Sequence, residues 1–144
     1  MSDHLFDDAI VDLLIDSSNP DMLNIAVDRK LDSIFDLHDA MKVQTRGNRV
    51  VSIGKDLRIY DAIDTGLFIC PLEILEYLER AKSISGESDC SLADAIRLMA
   101  RDSKVQAIDI GESWWQDVDT PQMLQHAESQ IARSRKLLQQ SALT

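Results

Sequence analysis

Asp117 and Asp119 stand two residues apart in Trp114-Trp115-Gln116-Asp117-Val118-Asp119-Thr120-Pro121. In an extended segment, side chains two apart share a face. The two carboxylates then repel unless something positive lies between them. A hard divalent cation such as Mg²⁺ suits that place, because it prefers oxygen ligands and takes one or two carboxylates together with substrate phosphates. The competing reading makes Asp119 the cap of a helix that opens at Thr120-Pro121. A further acid, Asp3, sits in Ser2-Asp3-His4 and by itself reads as part of a solvated terminus.

Two lysines lie in mostly apolar surroundings, Lys42 in Ala40-Met41-Lys42-Val43 and Lys55 in Ser52-Ile53-Gly54-Lys55. Each is placed to reach a phosphate as a point charge, or to serve as an ordinary surface lysine. In Asp61-Ala62-Ile63-Asp64-Thr65-Gly66, Asp64 and Thr65 offer hydrogen bonds to sugar or polyol hydroxyls, and Gly66 permits close approach of a ligand. The same stretch also reads as a bulge in a central strand. Other chemistries find no support. His4, His38 and His126 are scattered and show no zinc spacing, there is no Gly-x-Ser-x-Gly elbow, and the 5 glycines form no phosphate-cradling loop.

These residues need a scaffold, and hydrophobic periodicity supplies a mixed one. Helices are expected over Leu5–Ile15, Pro71–Ala81, Ser91–Ala100 and from Pro121 onward. Ser91 with Asp94 reads as a capping box. Strands are expected over Met22–Val27, Ala40–Thr45, Val50–Ile53, Asp61–Cys70 and Val105–Ile110, with Trp114–Val118 extended. Arg46-Gly47-Asn48 turns a hairpin, and the apolar end of Asp61–Cys70 predicts a strand buried on both faces.

The 144 residues amount to about one domain. With 15 Lys+Arg against 25 Asp+Glu, the formal net charge is -10. That balance argues against nucleic acid and against an anionic membrane surface as partners. No apolar run reaches the length of a membrane span, and no secretory signal opens the chain. Cytoplasmic location is therefore expected, with Cys70 and Cys90 as reduced, buried thiols.

Taken together, several blocks resemble the sugar-phosphate nucleotidyltransferase superfamily, and within it the inositol-1-phosphate cytidylyltransferase group. They are Met1 to Asp7, Ala26 to Arg29, Ile34 to Val43, Ile53 to Lys55, Tyr60 to Phe68, Ser91 to Ala95 and Trp114 to Pro121, in family order. The resemblance implies an α/β fold with the Rossmann-like mixed sheet of a nucleotidyltransferase (GT-A-like) domain. It implies transfer of a nucleotidyl group from a nucleoside triphosphate, CTP by subgroup, to a phosphorylated sugar or polyol such as inositol 1-phosphate, with release of pyrophosphate and with Mg²⁺ on the phosphates. By the same resemblance Asp3 and one of Asp117 and Asp119 bind the metal, Lys55 contacts the acceptor phosphate with Lys42 as second candidate, and Asp64, Thr65 and Gly66 wall the acceptor pocket. Residues 1–144 then correspond to the C-terminal acceptor- and metal-binding part of that domain, lacking its N-terminal, Gly-rich nucleotide-binding part. The sheet is accordingly expected to have an unpaired edge beside Asp61–Cys70. The alternative from a different class is a non-catalytic association module, or one subunit of a split enzyme, that pairs through such an edge with itself or with a separate N-terminal half.

Overall fold

The computed structural model describes residues 3–86 and 90–143. Met1 and Ser2, the first residues of the opening block, lie outside the described residues. The chain forms strand β1 (His4–Phe6), helix α1 (Asp8–Ser17), β2 (Leu23–Asp28), a 3₁₀ turn (Leu31–Ser33), β3 (Lys42–Arg46), β4 (Arg49–Gly54), β5 (Ala62–Ile69), α2 (Ile74–Ser85), α3 (Leu92–Arg101), β6 (Val105–Asp109), β7 (Trp115–Asp117) and α4 (Pro121–Ala142).

Each face of the main sheet carries its own apolar cluster. On one side Leu23, Ile25, Val27, Val43, Ile53 and Val105 pack against Ile74 and Tyr77 of α2 and against Ala95, Ile96 and Met99 of α3. On the other side Ala26, Ile108 and Ile110 pack against Ile10 and Leu14 of α1. Strand β2 lies between the two clusters and is buried along its whole length. The both-faces-buried strand is thus β2 rather than β5, whose second half is only partly covered. Asn24 and the small Ala26 disguise that burial in the sequence. Asn24 is fully buried because its amide donates to the Asn19 and Met22 carbonyls and its carbonyl oxygen accepts from Asn19 N–H. The Ser91–Asp94 capping box opens α3 as expected.

Strand β2 runs parallel to β6 and antiparallel to β5, and β5 also pairs with β3 through Lys42↔Ile63 and Val43↔Ala62. Strand β3 covers only the start of β5, at Ala62 and Ile63, so among the described residues the second half of β5 has a strand on one side alone, the side of β2, and the expected open edge is present there. The β3–β4 hairpin curls round, as a twisted sheet tends to, until Arg49 meets Gln106 and closes the ring β2-β5-β3-β4-β6. Ala107 N–H donating to the Asn48 carbonyl at 2.7 Å supports that closure. Other departures are local. Leu5 and Phe6, read as the start of a helix, belong instead to β1, which pairs with β7 more than a hundred residues away, His4 opposite Asp117, and such a partner leaves no local signal. Cys70 and Cys90 are free thiols, but Cys70 is exposed and Cys90 partly so, where burial was expected. No helix among the described residues is long and apolar enough to cross a membrane.

Candidate functional site

The pairing of β1 with β7 joins two of the sequence's acid segments. Val118 N–H donates to the Asp3 carbonyl at 2.7 Å, which sets Asp3 beside the Asp117-Val118-Asp119 run. The Asp3 and Asp119 carboxyls lie close enough to interact. This contact, burial and the Asp117 charge raise the pKa of Asp119. Asp3 is held below the usual carboxylate range, chiefly by its hydrogen bond to His4, whose Nδ1 lies 2.8 Å from Asp3 Oδ1. Asp119 therefore keeps its proton to higher pH than Asp3 does. The helix-capping role weighed for Asp119 belongs to Thr120, whose hydroxyl accepts from Met123 N–H.

These acids line a cavity of about 260 Å³, together with His4, Asp39, Lys55, Asp64, Gly66 and Trp115. Asp3, Asp117, Asp119, Lys55, Asp64 and Gly66, chosen from the sequence, thus meet in one place. Gly66 is a required glycine. Its φ is +81°, and a Cβ built on it would come within 2.8 Å of His4 Cδ2. The Asp64 carboxylate turns back to accept from Gly66 N–H at 2.7 Å. Burial pushes Asp64 up to about 6, against the opposing pull of that N–H and of His4.

Thr65 and Lys42 do other work. Thr65 is buried with its hydroxyl on the Ala26 carbonyl at 2.8 Å. It fills the register shift between β2 and β5, so the bulge reading of that segment holds alongside the cavity. Lys42 is also buried. Its ammonium donates to the carbonyls of His38, Ala40 and Lys55 at 3.0, 3.3 and 2.8 Å. Three donors on three carbonyls leave none for a phosphate, and Lys42 is absent from the acid cavity's wall. It ties the loop before β3 to the end of β4, which carries Lys55.

Two residues given no role from the sequence shape the cavity. His4 stacks on Trp115, ring centroids 6.0 Å apart and 9° from parallel. Trp115 donates its indole N–H to the buried Asp28 at 2.9 Å, and Asp28 also takes Lys30 Nζ at 2.9 Å. The Asp3–His4 pair is thereby held on a fixed wall. The Trp-x-Asp spacing and the histidine directly after Asp3 were the available signals.

The acids suit a hard cation by donor chemistry. They are oxygen ligands of one sign, crowded enough that Asp3 and Asp117 raise the pKa of Asp119. Among the described residues no group of three or more His, Cys, Asp or Glu side chains is arranged to hold a metal ion by itself. Mg²⁺ needs only one or two carboxylates, because water and phosphate oxygens take its other positions.

Since Asp64 titrates higher in the fold than its ordinary 3.8, the folded state binds more protons across the interval between those values. The stability this group lends is full below the lower value and lost as pH rises through the upper one. Asp64→Asn, which cannot ionise, is expected to gain about 2 kcal/mol on the wild type between pH 4 and pH 8. Urea unfolding with chelator present measures it, and a pH-independent difference contradicts it.

A mixed sheet flanked by helices is the fold that this chain shares with solved nucleotidyltransferases, and in sequence it is similar to one of them. The solved structure of the inositol-1-phosphate CTP transferase from T. maritima superposes with a TM-score of 0.71 at 27% identity, covering 84% of this chain and 48% of that one. A Bacillus anthracis protein assigned as a glucose-1-phosphate thymidylyltransferase shares the fold with a TM-score of 0.68 at 18% identity, over 88% of this chain and 50% of its own. Among curated proteins, the bifunctional IPC transferase and DIPP synthase of Rubrobacter xylanophilus is 40% identical over 94 residues, 65% of this chain and 21% of the relative. The chain therefore spans about a fifth of that relative and about half of the solved transferase. No protein-family model matches the chain.

Proposed function

We propose that this chain is the acceptor- and metal-binding part of a cytoplasmic nucleotidyltransferase. The whole domain would move a nucleotidyl group, CMP from CTP, onto a phosphorylated polyol such as inositol 1-phosphate. A phosphate oxygen of the acceptor attacks the α-phosphorus, the bond to the bridging oxygen breaks, and pyrophosphate leaves. The observation that carries this reading is the single cavity in which Asp3, Asp117 and Asp119 lie with Lys55, Asp64 and Gly66.

Catalysis of this class is mostly positioning and electrostatics. Lys55 offers a point charge to the acceptor phosphate. Asp64 and the backbone at Gly66 face the polyol hydroxyls, and the His4–Trp115 stack keeps the wall rigid. Asp3 with Asp117, joined by Asp119, would hold Mg²⁺, which when bound neutralises charge on the reacting phosphates. The exposed Ile59, Leu72, Leu75 and Ile84 leave apolar surface for the rest of such a domain, or a second copy, to cover.

The 144 residues contain no Gly-rich triphosphate loop. The isolated chain is therefore expected to release no pyrophosphate from CTP and inositol 1-phosphate. Release by a clean preparation, abolished by Asp117→Asn with Asp119→Asn, contradicts this division of labour.

A further inference from the structure

Lys55 does not face the acid cavity alone. Its ammonium lies 3.1 Å from Asp39 Oδ1, and both side chains are more than half exposed, at 56% and 58%. The two residues line the acid cavity on one side. On the other they line a broad outer basin of about 690 Å³, where His38, Arg58 and Tyr60 also stand. Arg58 has no ionic partner among the described residues. Lys42, Lys55 and Arg58 line the basin against Asp39 and Asp56, a local positive excess on a chain whose formal net charge is -10, which favours anions on this side of the ion pair.

Asp39 belongs to the loop between the 3₁₀ turn and β3, and that loop is fastened without it. Phe35 stacks on His126 of α4 with ring centroids 4.5 Å apart, and Lys42 holds the His38 and Ala40 carbonyls. The Asp39 carboxylate can leave Lys55 while the loop stays in place. An exposed ion pair is weak and easily exchanged. A phosphomonoester dianion brings more charge and more acceptor oxygens to the same ammonium than a carboxylate does.

We propose that Asp39 is a specificity-determining residue: its carboxylate occupies Lys55 until a phosphomonoester dianion, arriving through the outer basin, takes its place. An uncharged polyol cannot make that exchange and leaves the pair closed. The proposal rests on the reading of Lys55 as the acceptor-phosphate contact.

The test is calorimetric titration of the full chain with inorganic phosphate at pH 8, and separately with unphosphorylated inositol. Asp39→Asn is expected to bind phosphate roughly fivefold more tightly than wild type, because the competing charge is gone. Lys55→Gln is expected to lose most of the affinity, and the double variant to match Lys55→Gln. The affinity for inositol should not move with Asp39→Asn. If Asp39→Asn binds phosphate no better than wild type while Lys55→Gln weakens it, the competition is overturned and the acceptor reading stands. If Lys55→Gln changes nothing, or Asp39→Asn shows no phosphate binding at all, both fall.

Discussion

Asp3→Asn is expected to weaken Mn²⁺ binding to this chain by on the order of tenfold or more, the scale seen when a group ordering a metal site is lost. It is also expected to lower the pKa of Asp119. Both follow from one contact. The neighbouring Asp3 carboxyl is the leading cause of the rise in the Asp119 pKa. Asparagine keeps the shape but carries no charge, so a divalent cation loses an anionic oxygen and Asp119 loses its acid neighbour. Carboxyl carbon titration by NMR reads the second effect, and water-proton relaxation with Mn²⁺ reads the first. Asp117→Asn should weaken Mn²⁺ similarly, yet lower the Asp119 pKa less, because Asp117 acts on it through charge alone. Unchanged Mn²⁺ affinity in both variants contradicts a metal role for these acids.

Gly66→Ala is expected to destabilise the chain by about 2–4 kcal/mol, combining left-handed backbone strain with overpacking. The φ of +81° is one that L side chains rarely adopt, and the new methyl would press on His4 Cδ2 and Nε2 at 2.8 and 2.9 Å. His4 has little room to retreat, because its ring stacks on Trp115, whose indole is fixed to buried Asp28. The displaced ring would take Asp3 with it. Urea unfolding measures the stability loss, and Mn²⁺ affinity should fall in the same variant. Gly47→Ala is the control: its φ is +63°, but a Cβ there meets nothing within 4 Å, so it should cost stability without touching the metal. Equal Mn²⁺ losses in the two variants contradict a wall built on His4.

The site was legible in the sequence where chemistry leaves a local trace. Asp117 and Asp119 at spacing two, Lys55 beside Gly54, and Asp64 before Gly66 each carry such a trace. Their meeting with Asp3 could not be read locally, because it depends on β1 pairing with β7 across the whole chain; only resemblance to a family put Asp3 with them. Lys42 and Thr65 show the reverse failure. Residue type and neighbourhood suggested ligand contacts, but the backbone left carbonyls that needed donors: three at the ends of β3 and β4, and one at Ala26, where the β2–β5 register slips. Local periodicity found nearly every helix and strand, while the closure of the sheet through Arg49 and Gln106 depends on how far the hairpin twists, which no short window of sequence encodes.

The most direct test places a phosphomonoester and a divalent cation in the cavity together and asks whether they meet. Phosphorus-31 relaxation of inositol 1-phosphate, titrated with the full chain and a trace of Mn²⁺, should show strong paramagnetic broadening with the wild type. The broadening should be lost in Asp3→Asn with Asp117→Asn, and again in Lys55→Gln. If the phosphate signal is as broad in those variants as in the wild type, or stays sharp while both ligands are bound, the acids and Lys55 do not share one substrate.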